Sequence, residues 1–315
     1  MKKVFQLAFY LPVLAGVLFT RPSVGQSFER SYERYVEDNR SQAVSGVNIS
    51  IPYQLLREQD DLSRVLPVID NTLSDSLLSI RKLGFQSLDE LQGVFDEELE
   101  KQQILGIQFK GLEDPSSEIQ SITLDNMNKL SPTLFTIPQK GRLTNLLNGE
   151  VVNKELLLEL VGKLNEPSAI PTIRQYTNPG NSPMVKWKAY LALARLGDEQ
   201  AISTLLSKVS TLEVNTDVVY DILPGLVYTH QKELYDFMVA ELYKDDRNCL
   251  PADPDQTRPI NCAYRILEYL APHIVDFPLA ISDSGDLEVR NYRQALQTAR
   301  EWFTANPQYQ LAIND

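Results

Sequence analysis

The chain has 315 residues and a formal net charge of −12, with 43% hydrophobic and 23% charged residues. This composition is that of a soluble globular protein, and the length suffices for one large or two ordinary domains. The acidic balance argues against a nucleic-acid partner, because affinity for phosphate backbones comes from clustered Lys and Arg, and the sequence has no basic stripe.

The first 25 residues have the pattern of a secretory signal. Two lysines precede a mostly apolar run, Val4–Phe19, and Ser23-Val24-Gly25 supplies small residues before a cut ahead of Gln26. The run is shorter than the ~20 apolar residues of a membrane-spanning helix, although an uncleaved anchor remains the alternative. We predict that residues 1–25 are removed and that the mature protein, with no integral membrane span, is secreted or periplasmic, in the cell envelope.

The region before the middle of the chain is predicted to be mainly helical. Residues 26–46 are polar, and we expect them to be flexible; residues 47–149 carry apolar side chains at helical spacing. The stretches ILGIQFKG and EIQSITL leave a short strand pair open as an alternative there. Residues 54–175 contain no Tyr, whereas ten of the fourteen follow, so we predict a domain boundary near Gly149.

An internal repeat follows this boundary. The stretch Leu164–Ile173 matches Leu196–Leu205 at a shift of 32 residues, and a second shift of 32 places Leu196 on Tyr228. A fixed period between about 20 and 50 residues indicates an array of structural repeats. Because neither helix of such a unit can bury its apolar face alone, neighbouring units are expected to stack.

Each unit is predicted to be a pair of helices. Asn165 or Gly197 occupies the position where a left-handed residue ends the first helix, and Glu166 or Asp198 suits the start of the second. The repeat region is predicted over 150–305, with units near 151–178, 182–210, 215–244 and 261–281 and a closing cap over 287–305.

The best-defined unit resembles the HEAT-repeat family of α-solenoids. The residues that carry the resemblance are Val185-Lys186, Ala189, Leu193, Leu196-Gly197-Asp198, Ala201-Ile202 and Leu205-Leu206. In the next unit Pro224 interrupts the first helix and Thr229-His230 replaces the Gly-Asp turn. The resemblance, confined to the C-terminal half, implies an all-α fold: a right-handed α-solenoid of HEAT-like helical hairpins. Such solenoids are elongated scaffolds that mainly bind other proteins, and the resemblance implies no reaction.

Cys249 and Cys262 are the only two cysteines. An even pair in an exported protein usually forms a disulfide, and these two bracket a polar loop with three prolines. Two free thiols are the alternative, whereas zinc is disfavoured because two Cys and two distant His do not make a zinc spacing. We predict the Cys249–Cys262 disulfide.

No motif predicts a catalytic, cofactor or metal site, so we expect a protein that is not an enzyme and has no cofactor. His230 and His273 are interpreted as solvated turn residues, the acidic run 96–100 as a solvated helix face, and Asp283–Glu288 as a helix N-cap.

Aromatic residues are the feature that points towards binding. They are concentrated in the C-terminal half. Tyr and Trp are enriched at protein interfaces, although we expect most of these residues to belong to the hydrophobic core. The candidate partner-binding aromatics are Trp187, Tyr190, Tyr220 and Tyr235. The sequence therefore predicts an exported helical-repeat scaffold or adaptor that binds protein partners. The alternatives are an envelope hydrolase acting on peptide or glycan, and a non-catalytic carbohydrate-binding protein.

Overall fold

The computed structural model describes residues 24–149, 153–251 and 255–312. The described residues form sixteen α-helices and three isolated antiparallel bridges, with no β-strand among them. The all-α prediction is confirmed. The stretches ILGIQFKG and EIQSITL, for which a strand pair was the alternative, are helical. Most of the predicted signal, residues 1–23, lies outside the described residues. No helix in the described part of the chain has both the length and the apolar character needed to cross a membrane.

The chain divides into two compact units, residues 1–87 and 88–315. The helices that begin in the first unit are α1 Val24–Asp38, α2 Arg40–Val44, α3 Tyr53–Arg57, α4 Leu62–Thr72 and α5 Leu78–Val94, which continues past the division. Those of the second unit are α6 Glu98–Gln108, α7 Ser117–Lys129, α8 Ile137–Leu146, α9 Lys154–Lys163, α10 Ile170–Gln175, α11 Pro183–Arg195, α12 Glu199–Val209, α13 Leu223–Tyr228, α14 Lys232–Glu241, α15 Ala263–Leu270 and α16 Tyr292–Ala305.

In the first unit, α1 and α2 occupy the segment that the polar composition predicted to be flexible. The side chains of Phe28 and Tyr32 on α1 are buried, and the Tyr32 hydroxyl lies 3.1 Å from Ser87 Oγ. Helix α1 contacts α2, α3 and α4. The segment was expected to be flexible, but α1 is packed. The reason is that two apolar residues one helical turn apart suffice to bury one face of an otherwise polar helix.

In the second unit, helices contact each other in a regular succession. Helix α7 packs on α9, α9 on α11, α11 on α13, and α13 on α15, while α12 packs on α14. Three of the positive-φ residues of this unit, Asn165, Gly197 and His230, each follow one of the helices α9, α11 and α13. The Asp198 side chain then caps α12 by accepting a hydrogen bond of 2.8 Å from the Ala201 N–H. The 32-residue shift predicts left-handed residues at Asn165, Gly197 and Thr229. The first two lie at the predicted positions, and the third is His230, one residue later. Glu166 makes no side-chain cap bond.

The second unit begins well before the boundary that the tyrosine distribution predicted near Gly149. Leucines from both sides of that position, Leu143 and Leu147 before it and Leu157 and Leu160 after it, belong to one buried cluster. The Tyr176 hydroxyl also donates to the Leu147 carbonyl oxygen. The change in tyrosine content thus coincides with no break in packing.

The predicted Cys249–Cys262 disulfide is confirmed. The two Sγ atoms are bonded, and the Cα atoms lie 5.0 Å apart. An antiparallel bridge between Cys249 and Ile260 closes the loop beside it, and Ala263 begins α15 one residue after Cys262.

Helix α16 ends at Ala305, as the predicted cap does, but it begins at Tyr292 instead of near 287. Ile281 and Leu287 pair across a turn in which Gly285 has a φ of 86°. The N-cap of α16 is Asn291, whose side chain accepts from two backbone N–H groups of the first turn. The carboxylates of 283–288 therefore belong to a tight turn, and the N-cap interpretation of that stretch is wrong.

Candidate functional site

A groove of about 550 Å³ lies across α9, α11 and the segment that leads into α13. Its apolar and aromatic lining, which we call the aromatic groove, consists of Met184, Trp187, Leu191, Tyr220, Pro224 and Tyr228. Tyr220 belongs to a single π-helical turn, Val218–Ile222, just before α13. Pro224 lies in the first turn of α13, directly after the π-helical turn, and it has no backbone N–H to donate there. The predicted interruption at Pro224 therefore builds one wall of the groove.

Large apolar side chains in the aromatic groove remain open to solvent. Met184 is 56% exposed and Tyr220 51% exposed, and Trp187 is partly buried beside them. Clusters of this kind, rimmed by charged residues, are typical of binding surfaces. Lys188 and Glu159 form an ion pair at this rim, with their Nζ and Oε2 atoms 2.5 Å apart.

Gly225 of α13 packs against two side chains of α11. A Cβ added at Gly225 would lie 2.7 Å from Leu191 Cδ1 and 3.5 Å from Trp187 Nε1. A side chain at this position would therefore displace the end of the Leu191 side chain, which lines the aromatic groove. No sequence signal singled out Gly225.

A second recess, of about 240 Å³, adjoins the aromatic groove and shares Glu159, Pro224 and Tyr228 with it. We call it the basic recess. Its other lining residues are Asn128, Lys163, Arg195, Val227, His230 and His273. Four of these six carry a basic side chain, in a protein whose net charge is −12.

Hydrogen bonds fix the cationic side chains of the basic recess. Arg195 Nη1 donates to the Tyr228 carbonyl oxygen at 2.6 Å, and the guanidinium lies 5.4 Å from the centre of the Tyr228 ring. Lys163 Nζ donates to the Asn128 carbonyl oxygen at 2.9 Å. The Tyr228 hydroxyl donates to the Glu159 carbonyl oxygen at 2.6 Å, and burial raises the pKa of that hydroxyl far above its usual range. These hydrogen bonds hold the side chains against the walls of the recess.

The two histidines, 43 positions apart in the sequence, meet in the basic recess with their ring centres 6.3 Å apart. His230 does lie in a turn, with a φ of 52°, but both side chains are partly buried. Burial lowers the pKa of His273, and the nearby Arg195 charge lowers it further. The interpretation of both as solvated residues is therefore wrong: α13 and α15 contact each other, and the residues that follow each helix are brought together.

Two side-chain atoms of residues that line the basic recess are buried from solvent and have no hydrogen-bond partner. They are Asn128 Oδ1 and His273 Nδ1. The Asn128 amide nitrogen donates to the carbonyl oxygens of Leu124 and Leu156 at 3.0 Å, which fixes the orientation of the amide. Because buried polar groups are normally paired, these two atoms are exceptions.

The four candidate aromatics do not share one surface. Trp187 and Tyr220 meet in the aromatic groove. Tyr190, three residues along α11, is partly buried against the core and does not line the groove. Tyr235 is completely buried, and its hydroxyl donates to the Val227 carbonyl oxygen at 3.1 Å. The prediction that Tyr235 binds a partner is therefore wrong, because α14 directs its side chain into the core. Met184 was not among the candidates, because a single Met carries no sequence signal.

The acidic run 96–100 lies at the surface. Asp96 has a side chain 95% exposed to solvent, and Glu97 and Glu98 beside it are exposed. No group of three or more His, Cys, Asp or Glu residues in the described ranges is arranged to hold a metal ion.

The comparisons with known proteins add no relative. No protein-family model matches the chain, and neither a characterised protein nor a solved structure is similar to it at a significant level. The fold and site thus define an all-α protein with one disulfide and an aromatic groove that adjoins a basic recess.

Proposed function

We propose that the protein is an exported scaffold or adaptor of HEAT-like repeats, and that it binds a protein partner in the aromatic groove. The observation that carries this proposal is the juxtaposition of Met184, Trp187 and Tyr220, which come from two different elements and remain accessible. Trp and Tyr in such grooves are the residues that dominate binding energy at protein interfaces.

The solenoid part of the proposal is supported by the order of helix contacts. Alternate helices α7, α9, α11, α13 and α15 each contact the next, and left-handed turns follow α9, α11 and α13. Stacking of this kind, in which each pair of helices contacts only its neighbours, is the architecture of α-solenoids. The region 150–305 then forms a right-handed stack of helical hairpins.

Export is supported by the disulfide. Disulfides persist in secreted and periplasmic compartments and are rare in the cytosol. The Cys249–Cys262 bond, together with the apolar run at the start of the sequence, favours secretion into the cell envelope.

Site-specific photo-crosslinking tests the binding function. A benzophenone amino acid is placed at Tyr220, and the protein is illuminated in its native host. We expect one discrete cross-linked species, and we expect Trp187→Ala to remove it because the groove loses a large aromatic side chain.

Tyr53 provides the matched control, because it is 48% exposed and belongs to the other compact unit. The benzophenone at that position should not yield the same species. Equal labelling from Tyr53, or a Tyr220 product that survives Trp187→Ala, would contradict binding in the aromatic groove.

A further inference from the structure

We propose that a polar cleft beside the disulfide binds a small dianion, either a phosphate monoester or a dicarboxylate. The cleft has a volume of about 810 Å³ and lies between α16 and the two chain segments that the Cys249–Cys262 bond joins. We call it the arginine cleft. It shares no lining residue with the aromatic groove or the basic recess, so its ligand is a second one, beyond the protein partner proposed above.

Positive charge collects in the arginine cleft although the chain carries a net charge of −12. Three arginines line it: Arg247 before the first cysteine, and Arg293 and Arg300 on α16. Asp245 is the one carboxylate among its lining residues, so the lining carries three positive charges and one negative charge. Because a cleft lined by charges of one sign raises the local concentration of counter-ions, this excess favours an anionic ligand.

The single carboxylate of the arginine cleft is already paired within the protein. Asp245 Oδ1 lies 2.8 Å from Arg300 Nη2, and Arg300 Nε donates to the Leu242 carbonyl oxygen at 2.6 Å. By contrast, the guanidinium groups of Arg247 and Arg293 make no hydrogen bond or ion pair with the described part of the chain, and both residues are exposed. Two guanidinium groups without a protein counter-ion therefore remain for a ligand.

The backbone on both sides of the arginine cleft is fixed by bonds within the protein. Arg247 lies two residues before Cys249, which forms the disulfide and whose carbonyl oxygen accepts from the Ile260 N–H at 2.8 Å. Arg293 lies in the first turn of α16, where its N–H donates to the Asn291 side chain. Because both segments are held in place, a ligand meets the two guanidinium groups without the entropic cost of first ordering the chain around them.

Two guanidinium groups determine the charge that the ligand carries. Each presents a planar fork of N–H donors that matches the oxygens of a carboxylate or a phosphate. A single carboxylate would pair with one fork and leave the other unpaired, whereas a phosphate monoester or a dicarboxylate supplies charge and oxygens for both. Long polyanions such as nucleic acids are disfavoured because the chain as a whole is acidic. A small dianion is the ligand that meets these conditions.

Arginine side-chain NMR signals test this site in the full chain. The Nε–H signals are followed during titration with glycerol phosphate, succinate and acetate at constant ionic strength. We expect the signals of Arg247 and Arg293 to shift together, with a dissociation constant in the millimolar range for the better dianion. Acetate should bind about tenfold more weakly, because its one charge engages one guanidinium. Tighter binding of glycerol phosphate would identify a phosphate monoester, and tighter binding of succinate a dicarboxylate.

Matched variants separate the arginine cleft from general charge attraction. Arg247→Gln and Arg293→Gln should each weaken binding of the better dianion about fivefold, because each removes one of the two charged forks. Arg290→Gln is the control, since Arg290 is exposed, lies just before the α16 N-cap and does not line the cleft. It should leave the dissociation constant unchanged. All three arginines are exposed, so their replacement should leave the fold intact.

Equal binding of acetate and the dianions, equal weakening by all three variants, or different dissociation constants from the two arginine signals would overturn the dianion site. Tetra-aspartate is the last probe. If it binds more tightly than either dianion, the arginine cleft belongs to an acidic protein segment and the small ligand is refuted. Trp187→Ala, which tests partner binding in the aromatic groove, should leave dianion binding unchanged, so the two sites are tested separately.

Discussion

Gly162 shows how a single residue sets the distance between two neighbouring helices. A Cβ at this position of α9 would lie 2.9 Å from the Ala192 Cα on α11 and would overlap the Tyr228 hydroxyl. Backbone cannot move aside as a flexible side chain can. The absence of a side chain at Gly162 therefore permits both the α9–α11 contact and the Tyr228 hydrogen bond beside the basic recess.

We expect Gly162→Ala to lower the free energy of unfolding by about 1–3 kcal/mol, because the added methyl group overpacks the helix contact. Urea denaturation followed by circular dichroism measures the change. Gly106→Ala on α6 is the control, because a Cβ there meets nothing within 4 Å. It should stabilise by about 0.5–1 kcal/mol through helix propensity. Stabilisation by both substitutions would show that α9 and α11 do not approach this closely.

At the scale of single elements, local chemistry predicted much but not all. Gly197 and Asp198 identified a helix end and a helix start, because left-handed backbone and N-caps depend on adjacent residues only. The start of α16 was misplaced because the Asp283–Glu288 stretch and Asn291 both carry capping side chains. The bridge between Ile281 and Leu287 places the first stretch in a turn, so Asn291 is the residue that caps α16.

Helix α1 is an element whose place in the core can be tested directly. Phe28 is buried in the first compact unit, and we expect Phe28→Ala to cost about 3–5 kcal/mol of unfolding free energy through the cavity it leaves. The unfolding midpoint in urea reports this loss. The neighbouring Glu29 is exposed, so Glu29→Ala should leave the midpoint almost unchanged. An unaltered midpoint in Phe28→Ala would mean that the polar segment is the flexible tail its composition suggested.

At the scale of the molecule, one buried cluster extends through the second unit. It includes residues from Leu105 to Tyr309 and contains both cysteines. A change at the disulfide is therefore expected to affect the stability of the whole unit, because the cluster joins the loop to the helices around it.

Reduction of the disulfide should lower the unfolding free energy of this unit by about 3 kcal/mol, the value that the chain-entropy model gives for a loop of this size. The two cysteines are 13 positions apart. Urea titrations with and without a reductant measure the loss, and a Cys249→Ala/Cys262→Ala double variant should be insensitive to the reductant. A non-reduced digest with two free thiols would contradict the bond itself.

The sequence by itself determined the helical class, the left-handed turns after α9 and α11, and the cysteine pair, because each depends on spacing within a few turns of chain. Tertiary structure alone decided three further points: the division at Ser87, the burial of Tyr235, and the meeting of His230 with His273. The physical reason is that a helical pattern shows which face is apolar but not which neighbouring helix covers it. Trp187 and Tyr220 line one groove because α11 packs against α13, and that packing is a property of two surfaces in contact.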